Sequence, residues 1–535
     1  MAAHDLAHTS ASGLYLCASG APRPSGTGPG DGRGPAATSA CAATALISGL
    51  LHASDEGEDM SMRSTGEGLG RRDLIKRSAA LGLVTVPAMG FLSACASGGD
   101  AAAKGPVKGA VTKENPFGVA KGGKLDVVVF KGGFGDDYAK AWEAAFDKKW
   151  GTTSSHLGTQ EIAAKLQPRF NGGNPPDVVD DAGAQQIKID VLAKGGQLAD
   201  LTQVLDAPSL DDPDKKVRDL LIPGTVEQGT QGGKFVALNY VYTVFGFWYS
   251  GKLFKEKGWT EPRTWDQFLD ICTKARDAGL GGLAHQGKYP YYINVVIMDL
   301  IAKKGGLEAM KAIDNLESNA FEGNPAALAA VEAVYEVVEK GLLMAGTNGL
   351  THTESQTAWN QYKAAFIPSG SWLENEQLKQ TPDDFDMKFL PVPLLADSKL
   401  PFEAIRAGAG EPFIVPEKAA NKPAGLEFLR SMLSREWSTL FAQQANSLTV
   451  VKDGVDPGVR LRPGTQSAVA AVKAAGANTF NYLYPDWYSE MDTEIQNASN
   501  ELMAKRIQPK EWIKRAQAAV DKAAKDPNAK NNRRS

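Results

Sequence analysis

In Lys124–Lys131, KLDVVVFK, four apolar residues follow one another without a polar break, the pattern of a short strand covered on both faces. Beyond a glycine turn the period lengthens. Tyr138, Trp142, Ala145, Phe146 and Trp150 fall on one face of a helix predicted over 136–150. GNPPDVVDDAG at 173–183 reads as a turn feeding a short strand at 177–180. GGKFVALNYVYTVFGFWY at 232–249 is too long for one ordinary strand, and the reading splits it near Asn239–Tyr242. In the run after Leu253, Thr264 stands three residues before Gln267 ahead of an apolar-periodic stretch. This is a capping box, so both residues are structural. Residues 359–376, WNQYKAAFIPSGSWLENE, read as a helix end, a short apolar strand, a Gly-Ser turn and an aromatic-acid pair. AGAGEPFIVPEKAANKPAGLEFLRSMLS at 407–434 reads as a glycine-flanked strand at 412–416 and a helix from near Lys422. Short apolar strands alternating with amphipathic helices predict an α/β fold with a largely parallel sheet. Ligands of such sheets bind beyond the carboxyl ends of the strands, which sets Asp180, Asp181 and Phe134 beside a crevice.

Composition confines this folded body. All ten tryptophans lie after residue 140, and Tyr15 is the one tyrosine before Tyr138. Residues 1–59 are rich in Ala, Gly, Ser, Thr and Pro and hold no Trp or Phe, too little apolar surface to offset the entropy of ordering. Between them lies GRRDLIKRSAALGLVTVPAMGFLSACASGGD at 70–100. Its apolar run, 79–94, is broken by Pro87 and falls short of the roughly 20 residues that span a bilayer. A basic flank, an apolar core and a small-residue processing site are the parts of an export signal. Arg71 and Arg72, followed by Asp73-Leu74-Ile75-Lys76, resemble the twin-arginine export motif. Leu92-Ser93-Ala94-Cys95 resembles a bacterial lipobox, whose cysteine is lipidated and becomes the new N-terminus.

The expected organisation is therefore a low-complexity extension (1–59), untranslated or dispensable, and a signal peptide (60–94) starting near Met60 or Met62. A flexible tether (95–115) with a reach of about 25 Å, the folded body and a polar C-terminal tail (516–535) follow. Only Cys272 remains unmodified after processing, so no intramolecular disulfide is expected. The net charge of −4 is spread thinly, without the basic face that nucleic acid requires.

The order of motifs in the body resembles the solute-binding lipoproteins of bacterial sugar importers of the ABC class. The carriers are the lipobox, PPDVVD at 175–180, GKLFKEKGWTEPRTWDQF at 251–268, GSWLENE at 370–376 and FIVPEKAANKPAGLEFLRSML at 413–433. GSWLENE with AGAGEPFIVP is most similar to actinobacterial binding proteins for N-acetylglucosamine and its β-1,4 dimer. The resemblance implies two α/β lobes closing around a ligand by a hinge. Lobe one would take 116–240 and 387–435, and lobe two 243–385 and 437–515. It also implies a lipid-anchored monomer outside the cytoplasmic membrane that delivers a sugar to two permease subunits and, through them, to a cytoplasmic ATPase. No cofactor or metal is expected.

A sugar offers a hydroxyl rim and an apolar C–H face, so its site needs a flat aromatic and planar hydrogen-bonding groups. Trp372, after the Gly-Ser turn, is the expected platform, with core packing as its alternative. Glu374 and Asn375 are expected on sugar hydroxyls, and Glu411 is expected where flanking glycines permit close approach. Asp181 and Phe134 beside the crevice, Tyr292 of the KYPYY cluster, balanced between cleft and core, and Trp248, with core packing its stronger alternative, complete the candidates. Enzyme readings find less support. His156, His285 and His352 are far apart, and no phosphate-binding loop or nucleophile elbow follows residue 95. Asp180, Asp181, Glu374 and Glu411 supply acids for a glycosidase pair, the alternative reading, beside a receptor for another oligosaccharide, polyalcohol or peptide. Intact-mass analysis of cell extracts is expected to find no product beginning before Met60.

Overall fold

Tyr138, Trp142 and Phe146 lie on the buried side of helix Asp137–Trp150, as their spacing requires, and Gly151 ends the helix in a left-handed conformation. Trp142 is fully buried, stacks on Trp437 with ring centroids 5.5 Å apart and donates its indole N–H to the Trp437 carbonyl at 3.2 Å. Around this pair the first lobe's core gathers Leu125, Val127, Tyr240, Phe413 and Phe441. The computed structural model describes residues 109–534. Arg71, Arg72, the apolar run and Cys95 lie outside the described residues.

Twelve strands are present among the described residues: β1 (Lys124–Phe130), β2 (Thr153–Thr159), β3 (Val178–Asp180), β4 (Thr230–Gln231), β5 (Lys234–Phe235), β6 (Leu238–Ser250), β7 (Gly281–Leu283), β8 (Ala364–Gly370), β9 (Met387–Leu390), β10 (Ile405–Ile414), β11 (Leu448–Thr449) and β12 (Thr479–Phe480). β4 and β5 form a separate two-stranded sheet, and the main sheet runs β2-β1-β3-β10-β6-β8-β7. β1 pairs in parallel with β2 and β3, and β7 with β8. The sheet is nevertheless mixed rather than largely parallel, because β6 runs antiparallel to β10, β8 and β9. The expected split near Asn239–Tyr242 falls inside one strand, β6, whose 13 residues are buried everywhere except Tyr242. With both faces covered there is no polar alternation to mark where it leaves one lobe for the other.

The second lobe packs Phe247, Phe268, Ile297, Phe366, Tyr484 and Trp512 into its own core. Core membership moves the expected boundaries. β9 pairs with residues 247–250 of β6, and Leu390, Val392 and Phe402 pack in the second lobe, whereas the resemblance implies 387–404 in the first. Trp437, Phe441 and Val451 pack in the first lobe, whereas the resemblance implies 437 onward in the second. Both differences arise because assignment follows core packing, which sequence order does not show.

Both ends of the described segment are tied down by contacts that their composition does not suggest. Gly109 N–H donates to the Gly118 carbonyl, and Arg430 donates to the Glu114 carbonyl, so the body begins before residue 115. Helix Pro509–Ala523 buries Trp512, Ala516 and Val520, which removes 516–520 from the expected tail. Arg534 donates to the Asp314 carboxylate at 2.7 Å and to the Asn481 carbonyl at 2.8 Å. Thr264 and Gln267 form the capping box that begins helix Trp265–Asp277. No helix among the described residues is long and apolar enough to cross a membrane.

Trp142→Ala removes the first lobe's central ring and is expected to cost about 3–5 kcal/mol of stability, read from chemical denaturation.

Candidate functional site

β3 ends at Asp180, and β10 turns at Glu411, whose φ of 58° lies in the left-handed region. A non-glycine residue there carries backbone strain, which marks a position held by its surroundings. From the second lobe come the first turn of helix Tyr291–Gly305, helix His352–Asn360, and the turn from β8 into the short helix Leu373–Glu376. These elements meet between the lobes. Their loops are bare where they touch: a Cβ on Gly133 would stand 3.0 Å from the Trp372 Cβ, and one on Gly370 would overlap the indole. The loop after β1 therefore lies directly on Trp372.

Trp372 is partly buried and makes edge contacts with Phe245 at 5.6 Å and Tyr292 at 6.2 Å. Tyr292 in turn lies near-parallel to the His352 ring at 6.1 Å. This aromatic wall faces carboxylates. Tyr138 donates its hydroxyl to Asp180 Oδ2 at 3.1 Å, while Asp180 Oδ1, fully buried, has no donor in hydrogen-bonding geometry. The Glu411 carboxyl is within hydrogen-bonding reach of Asp180 and faces Glu376. Glu376 Oε1 pairs with His352 Nε2 at 3.2 Å, and its buried Oε2 has no partner among the described residues. Burial first, and the Glu411 charge second, hold the Asp180 carboxyl well above the usual carboxylate range. Burial, then the Glu376 charge, push Glu411 up to about 8.

The opposite end of β10 carries a cation. Arg406 lies between the rings of Phe245 at 4.0 Å and Tyr482 at 4.1 Å. Its Nε donates to Asn481 Oδ1 at 3.2 Å, and its buried Nη1 has no partner among the described residues. β10 thus carries a carboxyl at Glu411 and a buried guanidinium at Arg406, and the Phe245 ring against Arg406 touches Trp372.

Of the expected site residues, Trp372, Tyr292 and Glu411 lie together here. Asp181 lies beside them but is fully buried. Its Oδ1 accepts the Ile187 N–H at 2.8 Å, and Oδ2 has no partner among the described residues. Others are used differently. Glu374 accepts the Gly464 N–H at 2.8 Å, the Thr465 N–H at 2.7 Å and the Thr465 hydroxyl at 2.8 Å, so its carboxylate caps helix Pro463–Ala475 and does not face a ligand. Asn375 donates to the Gly133 carbonyl at 2.7 Å and accepts from Arg462 at 2.9 Å, which fastens the lobes to each other. Phe134 packs on Phe441 in the first lobe's core. Trp248 is fully buried against Phe389, its indole N–H donated to the Ser369 carbonyl. Both are core residues. Glu376 and His352 are the site residues that sequence reasoning missed. The signal for Glu376 was present in GSWLENE: residues two apart on a helix point about 200° apart, so Glu374 and Glu376 could not both face the cleft. Among the described residues no three His, Cys, Asp or Glu side chains are placed to hold a metal ion.

Glu374→Ala is expected to cost about 2–3 kcal/mol of stability by leaving buried amides without an acceptor, a loss that thermal unfolding would read in the absence of any ligand.

Comparison with known proteins agrees with this architecture. The family model for bacterial extracellular solute-binding proteins matches residues 132–439. Diacetylchitobiose binding protein NgcE of Streptomyces coelicolor is 36% identical over 459 residues, covering 85% of this chain and 97% of NgcE. A solved chitin oligosaccharide binding protein superposes with a TM-score of 0.62 at 19% identity, over 75% of this chain and 99% of the other. RafE in complex with raffinose gives 0.59 at 16%, over 75% and 99%. These two structures share the fold. The chain belongs to the bacterial extracellular solute-binding proteins.

Proposed function

We propose that this protein is the sugar-capturing subunit of an ABC importer and that its ligand is N,N'-diacetylchitobiose or N-acetylglucosamine. The observation that carries the reading is Trp372 set between the lobes, with Tyr292 beside it and carboxylates of both lobes across from it. The identity to a diacetylchitobiose binding protein over most of both chains supports the ligand class.

The energetics suit a neutral sugar. Covering about 80–100 Å² of C–H face with an indole contributes roughly 2–2.5 kcal/mol. Each hydrogen bond adds on the order of 1 kcal/mol net, more when the acceptor is charged. Micromolar affinity needs about 8 kcal/mol, which one or two rings and several good hydrogen bonds supply. In this reading the lobes close on the sugar, because the closed state alone offers it both walls. Closure presents a shape to two permease subunits, whose cytoplasmic ATPase drives transport. The ligand leaves unchanged, so the carboxylates bind and do not catalyse. Lipidation of Cys95, after export directed by Arg71 and Arg72, would hold the protein as a monomer at the outer face of the membrane.

Calorimetric titration is expected to give micromolar or tighter binding of N,N'-diacetylchitobiose, and weaker or no binding of maltose and xylobiose. Trp372→Ala is expected to weaken the chitobiose complex by about 2 kcal/mol, roughly 30-fold. Silence with chitobiose and N-acetylglucosamine would remove this ligand.

A further inference from the structure

We propose that the acidic end of the cleft takes a free ammonium group, so that the protein also captures amino-sugar oligosaccharides that have lost an acetyl group. The inference rests on the sugar-receptor reading and specifies one end of that site.

Three carboxyl groups from three elements meet there: Asp180 from β3, Glu411 from β10 and Glu376 from helix Leu373–Glu376. Among the described residues no lysine or arginine forms an ion pair with any of them. The nearby cations are engaged elsewhere: Lys131 pairs with Asp136, Lys188 faces Asp181, and Arg406 lies at the other end of β10. Glu376 Oε2 is buried with no partner among the described residues, and the Glu411 carboxyl is the group within hydrogen-bonding reach of Asp180 besides Tyr138. Asp180 is itself wholly inaccessible, so solvent does not satisfy it. A hydroxyl offers one proton to such a site, whereas an ammonium offers three and a compensating charge. Tyr292 lies beside Glu376 and touches Trp372, so aromatic rings border this position.

Protons compete for the same place. The groups facing the cluster are the Tyr138 hydroxyl toward Asp180, Asp181 on the same turn, and His352 and Tyr292 toward Glu376. His352 counters one carboxylate when protonated, and none of the others supplies a positive charge. Glu411, pushed up to about 8 by burial and by Glu376, therefore holds a proton at neutral pH when the cleft is empty. Asp180, held well above the carboxylate range by burial, keeps its proton, and an entering ammonium keeps its own three protons and displaces the one on Glu411 to the buffer. Its affinity consequently rises with pH while Glu411 is protonated, by up to tenfold per pH unit. A fully N-acetylated sugar brings no charge with which to displace the proton.

The test is calorimetry on the full chain with N,N'-diacetylchitobiose and with the same disaccharide lacking its acetyl groups. Each is titrated at pH 5.5 and pH 7 in two buffers of different ionisation enthalpy. The expected result is binding of both at pH 7. The ratio of free-amine to acetylated affinity should rise at least tenfold between pH 5.5 and pH 7, with proton release seen for the amine. Glu411→Gln and Asp180→Asn should each lower that ratio at pH 7 at least tenfold, with thermal unfolding as the check on folding. Binding of diacetylchitobiose without the free amine, or a ratio independent of pH, would overturn this inference and leave the sugar-receptor reading in place. Silence with both sugars would overturn that reading itself. The pH series uses the unmodified protein, so it decides the matter even if a variant fails to fold.

Discussion

The antiparallel pairing of β6 with β10, from Phe245 opposite Arg406 to Leu238 opposite Phe413, is the constraint on which the rest depends. β6 runs from the first lobe into the second and β10 runs back from the second into the first, so one hydrogen-bonded ladder belongs to two hydrophobic cores. Each lobe can be rigid within itself, while relative motion is confined to torsions in a few crossing residues. The same ladder places the site. Glu411 and Arg406 stand five residues apart on β10, a rise of about 17 Å at the spacing of antiparallel strands. That separation keeps the Arg406 guanidinium, buried between Phe245 and Tyr482, away from the carboxyl cluster at Glu411.

The register explains the strain at Glu411. Gly410 pairs with Val241 and Pro412 with Asn239, so the count across the ladder is kept and no bulge is present. Glu411 sits between them with φ at 58°. Pro412 has no N–H to give, so the ladder is already weakened where the strand turns. The backbone spends its irregularity at the point where β10 faces the cleft, and the side chain it aims there is a carboxyl beside Asp180.

Desolvation then decides the chemistry. Glu374 and Glu376 lie two residues apart in one short helix, yet they do opposite things. Glu374 is met by two amides, a hydroxyl and the Asn446 side chain, all from this chain. Glu376 keeps a buried oxygen with no donor among the described residues. A carboxylate satisfied internally caps a helix, and one left unsatisfied between two lobes asks for a donor from outside.

Much of the local structure was legible in the sequence because it depends on spacing. The helix after β1 buries the face that Tyr138, Trp142 and Phe146 predicted, Thr264 and Gln267 cap the helix they were expected to cap, and the ordered motifs identified the family. These signals come from neighbours within one helical turn or one strand, where periodicity and hydrogen-bonding reach are set by the backbone. Tertiary structure decided the rest: that β6 is one strand, that 387–404 and 437–451 change lobes, that Trp248 and Phe134 are core, and that Glu376 rather than Glu374 faces the cleft. Each of these depends on partners distant in sequence. An aromatic ring or a carboxylate looks the same in a sequence whether those partners cover it or leave it open.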